Sequence, residues 1–225
     1  MIVADRKPLD EILASIRDRR KILVMACGGC VTVCLSGGSK AAEVLASQIR
    51  MARDKEGRPI EITLATPERQ CEPEYLAALK AEVESAETVL STACGVGVQA
   101  MAEHYPERIV VPALNTKFMG YPVQHGLWEE RCAGCGDCVL EWTGGLCPVA
   151  RCAKKLLNGP CGGSSGGKCE TSTPENPVDC VWQLIYDRLK RLNRLETLGR
   201  IRPPKDWRTA TETGQRKIRF EEVML

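Results

Sequence analysis

The chain has 225 residues, a net charge of +2 and 13 cysteines. That length can bury a hydrophobic core without disulfide staples, and a charge so near neutral supplies no electrostatic reason for a nucleic-acid partner. No apolar run approaches the length of a membrane span, so no membrane insertion is expected. An odd number of thiols, in a chain that opens without an apolar signal core, points to a reducing cytoplasmic setting in which cysteines ligate metal rather than pair.

In chain order, residues 1–20 (MIVADRKPLDEILASIRDRR) predict an amphipathic helix with Leu9, Ile12, Leu13 and Ile16 on one face. Residues 21–125 predict a parallel α/β domain of the Rossmann or flavodoxin-like kind. In it the strands KILVMAC, IEITLAT, TVLSTAC and RIVVPAL alternate with the helices SKAAEVLASQIRMARDK, PEYLAALKAEVESA and GVGVQAMAEHY. The stretch NTKFMGYPVQHGLW reads as a Gly- and Pro-bearing connector carrying Phe118, Tyr121 and Trp128. Residues 126–180 form a small segment with eight cysteines, many glycines and too few apolar residues for a core of its own, so a bound metal is expected to hold it together. Residues 181–225 supply a final helix with Val181, Leu184, Ile185, Leu189, Leu192 and Leu195 on one side, followed by a polar, extended tail.

The run Cys132-x2-Cys135-x2-Cys138 lets one tight loop aim several sulfurs at one centre, as in bacterial iron–sulfur proteins whose Cys-Pro cysteine ligates a second cluster. Here eight residues, rather than three, separate the triplet from Cys147-Pro148. Gly134 and Gly136 permit the backbone to curl around a cluster and present N–H groups to its sulfurs. Cys152, Cys161, Cys169 and Cys180 add further thiols, and the eight together suffice for two four-iron clusters. Structural zinc in a four-thiolate site is the alternative.

A second constellation belongs to the sheet domain. Cys27 and Cys30 follow the first strand, Cys71 the second and Cys94 the third, and in a parallel sheet these ends open on one edge. Cys27, Cys30, Cys71 and Cys94 make the natural metal set, a third candidate centre, whereas Cys34 reads as a small buried hydrophobe. Gly28, Gly29, Gly37 and Gly38 fit neither a Gly-x-Gly-x-x-Gly nor a Walker pattern. His104 and His125 read as surface or packing residues, and Asp137 and Glu141 as charges beside the thiols. No Ser-His-Asp or paired-carboxylate arrangement is recognisable, and no residue is assigned a catalytic or organic-cofactor role.

The segment CAGCGDCVLEWTGGLCPVARCAKKLLNGPCGGSSGGKCE resembles the cysteine-rich C-terminal domain family of methylenetetrahydrofolate reductases. With ACGGCVTVC and STACGVGVQAM ahead of it, the chain is similar over nearly its full length to the MetV-type small subunits found in acetogenic bacteria. The resemblance implies a flavin-bearing MetF-type partner that binds methylenetetrahydrofolate in a barrel absent from this sequence, with room for further electron-transfer subunits. It further implies a place in one-carbon (Wood–Ljungdahl) metabolism. The expected function is that of an iron–sulfur accessory subunit of an oxidoreductase, without a complete catalytic site of its own. A zinc- or cluster-stapled scaffolding module without redox role is the principal alternative, and a free-standing redox enzyme with an open coordination site a third.

Overall fold

The computed structural model, which describes residues 1–211, begins with a strand where the sequence pattern predicts one helix. Strand β1 spans Ile2–Arg6, and the amphipathic pattern folds as helix α1 (Leu9–Ser15). Pro8 separates them: it caps α1, and it biases Lys7 away from helical backbone, while Ile2 and Val3 are β-branched.

Alternation then holds as predicted. Strand β2 (Lys21–Met25) leads to the single turn α2 (Cys30–Val33) and the long α3 (Ser39–Lys55), then β3 (Glu61–Ala65). The next helical segment is split into α4 (Pro73–Ala77) and α5 (Lys80–Glu84), before β4 (Thr88–Ser91), α6 (Gly95–His104) and β5 (Ile109–Pro112). These four strands pair in parallel in the order β3-β2-β4-β5. Because β2 is covered on both faces, all its residues after Lys21 are apolar. Ile22 and Val24 pack with Ile12, Ile16, Leu45 and Ile49 on one side, while Leu23 and Met25 pack with Leu76, Val83 and Met101 on the other. At the far end of α3 the buried Arg53 needs no acid partner. Its guanidinium donates to the carbonyl oxygens of Arg17, Arg19 and Arg58 at 2.6–3.1 Å.

The sequence read as a connector is a strand pair, β6 (Leu114–Gln124) and β7 (Leu127–Cys132), turning at His125 and Gly126. With β1 it makes a second, three-stranded sheet in the order β1-β6-β7, β1 running antiparallel to β6. The antiparallel register covers Leu114–Met119, so Pro122 lies beyond the β1 pairing and costs that ladder nothing.

The chain divides into two compact units, Met1–Glu130 and a second beginning at Arg131. In the second, a 3₁₀ turn (Leu140–Thr143) and α7 (Pro148–Arg151) precede α8 (Val181–Arg191), and the cysteine segment shares one core with that helix: Cys180, Val181, Trp182, Ile185 and Leu189, packed against Leu146, Cys152, Leu156 and Leu198. The apolar stripe does not run on to Leu195 as one helix. Helix α8 stops at Arg191, Asn193 turns the backbone into the left-handed region (φ 54°), and Leu192 and Leu195 are exposed. A short helical piece, Arg208–Thr211, interrupts the expected extended tail, whose remainder lies outside the described residues. Among the described residues no helix is long and apolar enough to cross a membrane.

Candidate functional site

The strand order β3-β2-β4-β5 is that of a flavodoxin-like sheet. Connections leave β2 and β4 in opposite directions, which opens a crevice at their C-terminal ends. Cys27 follows β2 by two residues, Cys94 caps α6 just after β4, and Cys71 lies between β3 and α4. Their loops are bolted together by buried polar groups. The Gln70 side-chain amide donates to the carbonyls of Met25 and Ala26, both at 2.8 Å, and its oxygen accepts from the Ser91 hydroxyl at 2.8 Å. Thus the residue before Cys71 is pinned to the ends of both β2 and β4. The Gly37 carbonyl accepts from Cys27 N–H (3.1 Å) and from the Thr92 hydroxyl (2.8 Å). A side chain on Gly37 would place its Cβ 1.9 Å from the Thr92 oxygen, so only glycine lets this loop close over the strand ends.

Cys71 senses its surroundings. Partial desolvation of the sulfur raises the Cys71 pKa, although the residue as a whole is exposed, and the neighbouring Cys27, Cys94 and Glu72 push it further in the same direction. Cys30 is the first residue of α2, beside Gly29. Cys34 packs in one cluster with Cys27, and its buried sulfur meets the Ser36 hydroxyl at 3.0 Å and the carbonyls of Ala4 and Val31 at 3.9 and 3.8 Å. Cys94 and Trp128 pack against that cluster, and the buried Trp128 indole N–H has no acceptor.

In the second unit, Cys132 ends β7 and starts the triplet loop. The Gly134 N–H donates to Cys132 Sγ at 3.4 Å, and Lys205 fastens the loop through the Asp137 carbonyl (2.7 Å) and carboxylate (3.2 Å). Cys147 caps α7. Four further thiols come together: Cys152, Cys161, Cys169 and Cys180 line one small cavity with Trp182, while Cys147 is not part of that lining. They arrive from four separate places. Cys152 closes α7, Cys180 opens α8, and Cys161 and Cys169 are carried on loops, the latter through its N–H bond to the Val178 carbonyl at 2.8 Å. Gly163 N–H donates to Cys161 Sγ (3.4 Å) and the Thr171 hydroxyl to Cys169 Sγ (3.3 Å). Donation from Thr171, side chain first and then backbone, lowers the Cys169 pKa and so favours its thiolate. Lys154, paired with Glu170 at 2.5 Å, is held above its ordinary pKa first by that carboxylate and further by the charges of Cys161 and Cys169.

Among the described residues no cysteine is paired in a disulfide. Among the described residues no three His, Cys, Asp or Glu side chains already stand as a ready metal site. A cleft of about 780 Å³ lies instead beside Arg6, Cys34, Ser39 and Lys40. We assign it no chemistry. Gln70, Thr171 and Trp182 were missed by sequence reasoning. Each is a single polar or amphipathic residue with no periodicity, though each lies within two residues of a cysteine, and that adjacency was the available signal.

Residues 111–208 match the family model described as methylene-tetrahydrofolate reductase C terminal. This range takes in the β6–β7 strand pair and the described cysteine unit, and leaves the parallel sheet almost wholly outside it. Neither the curated proteins nor the solved structures gave a match.

Proposed function

We propose that the chain is an iron–sulfur accessory subunit of a methylenetetrahydrofolate reductase, exchanging electrons with a flavin on a MetF-type partner. The partial match to the reductase C-terminal family supports the assignment to that enzyme class. The observation that carries the metal reading is the convergence of Cys152, Cys161, Cys169 and Cys180 on one cavity beside Trp182, whose indole N–H is buried without an acceptor. Soft thiolates select iron–sulfur centres or zinc over hard cations. N–H and O–H donors already placed on Cys132, Cys161 and Cys169 are the outer-shell contacts that stabilise metal-bound sulfur.

The residues that would hold such groups are Cys27, Cys30, Cys71 and Cys94 at the sheet edge, and Cys132, Cys135, Cys138, Cys147, Cys152, Cys161, Cys169 and Cys180 in the second unit. When bound, a four-iron cluster supplies one-electron transfer. The chain's own residues supply ligation, hydrogen bonds to sulfur and shielding from water, which together set the potential. Exposed Tyr121, Val123 and Leu127 on the β6–β7 pair are the apolar surface through which the flavin-bearing subunit would dock.

A second reading is favoured by one observation. Cys152 and Cys180 belong to the core of their unit, so a bound metal there would staple the fold whether or not it carries electrons. Purification under strict exclusion of oxygen separates the two. The expected product is brown, with iron and acid-labile sulfide for at least two four-iron clusters, and once reduced it passes electrons to the flavin of the co-purified partner. Stoichiometric zinc without iron, in protein never exposed to air or chelator, would leave only the stapling role.

A further inference from the structure

At the N-terminal ends of β2 and β3, the edge of the parallel sheet opposite the thiols, arginines gather around one cleft of about 440 Å³. Its lining sets Arg19, Arg20, Arg53 and Arg58 against a single acid, Asp18. The excess is local, because the whole chain carries a net charge of only +2. The turn after α3 builds it. Gly57, also in the lining, takes left-handed backbone (φ 67°), which folds the chain back so that the Arg58 N–H donates to the Arg53 carbonyl at 2.9 Å.

Holding the fold together accounts for only part of this cluster. Arg53 is 3% exposed, and its carbonyl contacts tie the end of α3 to the segments before β2 and β3. Those three acceptors take three of the five N–H groups of the guanidinium and bear no net charge, so the buried cation stays uncompensated. Arg58 adds a bond to the Arg17 carbonyl at 2.9 Å and a loose ion pair with the exposed Asp18 at 3.6 Å. Among the described residues the side chains of Arg19 and Arg20 make no hydrogen bond or salt bridge. Their charge bears on Glu87, which accepts the Arg20 backbone N–H and does not line the cleft. Guanidinium groups crowded together without carboxylates to match them are fitted to an anion supplied from outside.

We propose that this cleft binds a dianionic phosphoryl group, carried by a small phosphate ester or present as free phosphate, which Arg19, Arg20 and Arg58 hold beside the fixed charge of Arg53. Four arginines less one acid leave three positive charges, more than a single carboxylate can offset and a better match for a dianion. The planar guanidinium fork pairs with phosphate oxygens through two parallel hydrogen bonds. The volume falls within the range of small-molecule sites, so there is room for the molecule that bears the group. No bond is made or broken, and the site uses neither the thiols nor a metal.

The test uses the full chain, purified without oxygen in phosphate-free buffer, with inorganic phosphate and glycerol 3-phosphate titrated separately by calorimetry at low salt. At least one should bind saturably, with a Kd of about 1 mM or tighter. Tighter binding of the ester identifies a phosphorylated small molecule as the occupant, and equal or weaker binding identifies free phosphate. Arg19→Gln with Arg20→Gln removes two charges whose side chains hold no part of the fold. This pair should weaken binding about tenfold or more, as expected for lost charge-assisted hydrogen bonds, and leave the urea midpoint near that of the native chain. Arg58→Gln should weaken it as well. Arg6→Gln with Lys40→Gln strips charge from the other cleft of the same unit and should leave the affinity unchanged. The proposal fails if neither probe saturates, or if chloride at equal ionic strength competes as well as phosphate. It fails equally if the Arg19 and Arg20 changes leave Kd where it was, or if binding is lost in the Arg6 and Lys40 variant instead.

Discussion

Gln70 makes the strongest case for how one side chain places the sheet-edge thiols. It is fully buried, spends both amide hydrogens on the end of β2 and its oxygen on Ser91, the last residue of β4, and thereby fixes the backbone that carries Cys71. Gln70→Leu keeps the approximate bulk and leaves the Ala26 carbonyl and Ser91 hydroxyl short of a partner. The expected loss is about 2–6 kcal/mol, since each of the two buried groups left unpaired costs about 1–3 kcal/mol. A urea midpoint unchanged from the native chain would show that water or a neighbour replaces the amide. Nothing in the sequence marks Gln70 as different from Gln48 or Gln99. The cysteines were legible because their spacing is itself a chemical pattern, whereas a buried amide acquires its role only from the carbonyls and the hydroxyl that two distant segments bring to it.

At the level of elements, what decided legibility was whether burial imposed a period. The parallel strands were readable because both faces of β2 are covered and the composition has to follow. The β6–β7 pair was not: most of β6 is exposed, so its residues carry no alternation, and its Gly120 and Pro122 look like loop residues. Gly120 is there for close approach, since a Cβ would fall 2.2 Å from the Glu129 oxygen on β7. Strand starts also have their own ties. Arg20 N–H, just before β2, donates to the Glu87 carboxylate, just before β4, at 2.9 Å. That bond is the main cause holding the Glu87 pKa below its ordinary value. A lowered folded-state pKa contributes stability above the unfolded carboxylate range, and the contribution is lost as pH falls through the folded value. Glu87→Gln should therefore unfold at lower urea than the native chain at neutral pH, and the two should converge as pH falls through the lowered folded-state value, where Glu87 becomes neutral like the glutamine. A gap that persists at low pH would mean the carboxylate charge is not what Arg20 senses.

Across the whole chain, the two units differ in what apolar material they own. Met1–Glu130 has a sheet with a complete hydrophobic layer on each face, which sequence alternation alone made visible. The second unit has one small core, in which Cys180 and Cys152 occupy positions that a larger domain would give to leucine. Its grouping of thiols was not legible, because cysteines separated by seven to ten residues of loop can be combined in many ways until Cys152, Cys161, Cys169 and Cys180 are seen around one cavity. Metal binding and folding are coupled when a site's ligands hold a core that burial alone does not. Removing metal from the anaerobic full chain, with a chelator and a thiol reductant present, should therefore raise amide hydrogen exchange throughout Arg131–Arg191, with the largest rise in α8. The strands β2 and β4 should stay protected, because their packing contains no thiol except at the edge. Returning the metal should restore the protection of α8. If α8 exchanges equally slowly with and without metal, its leucine and tryptophan packing is sufficient by itself, and the cysteines beside it are ligands that the fold does not require.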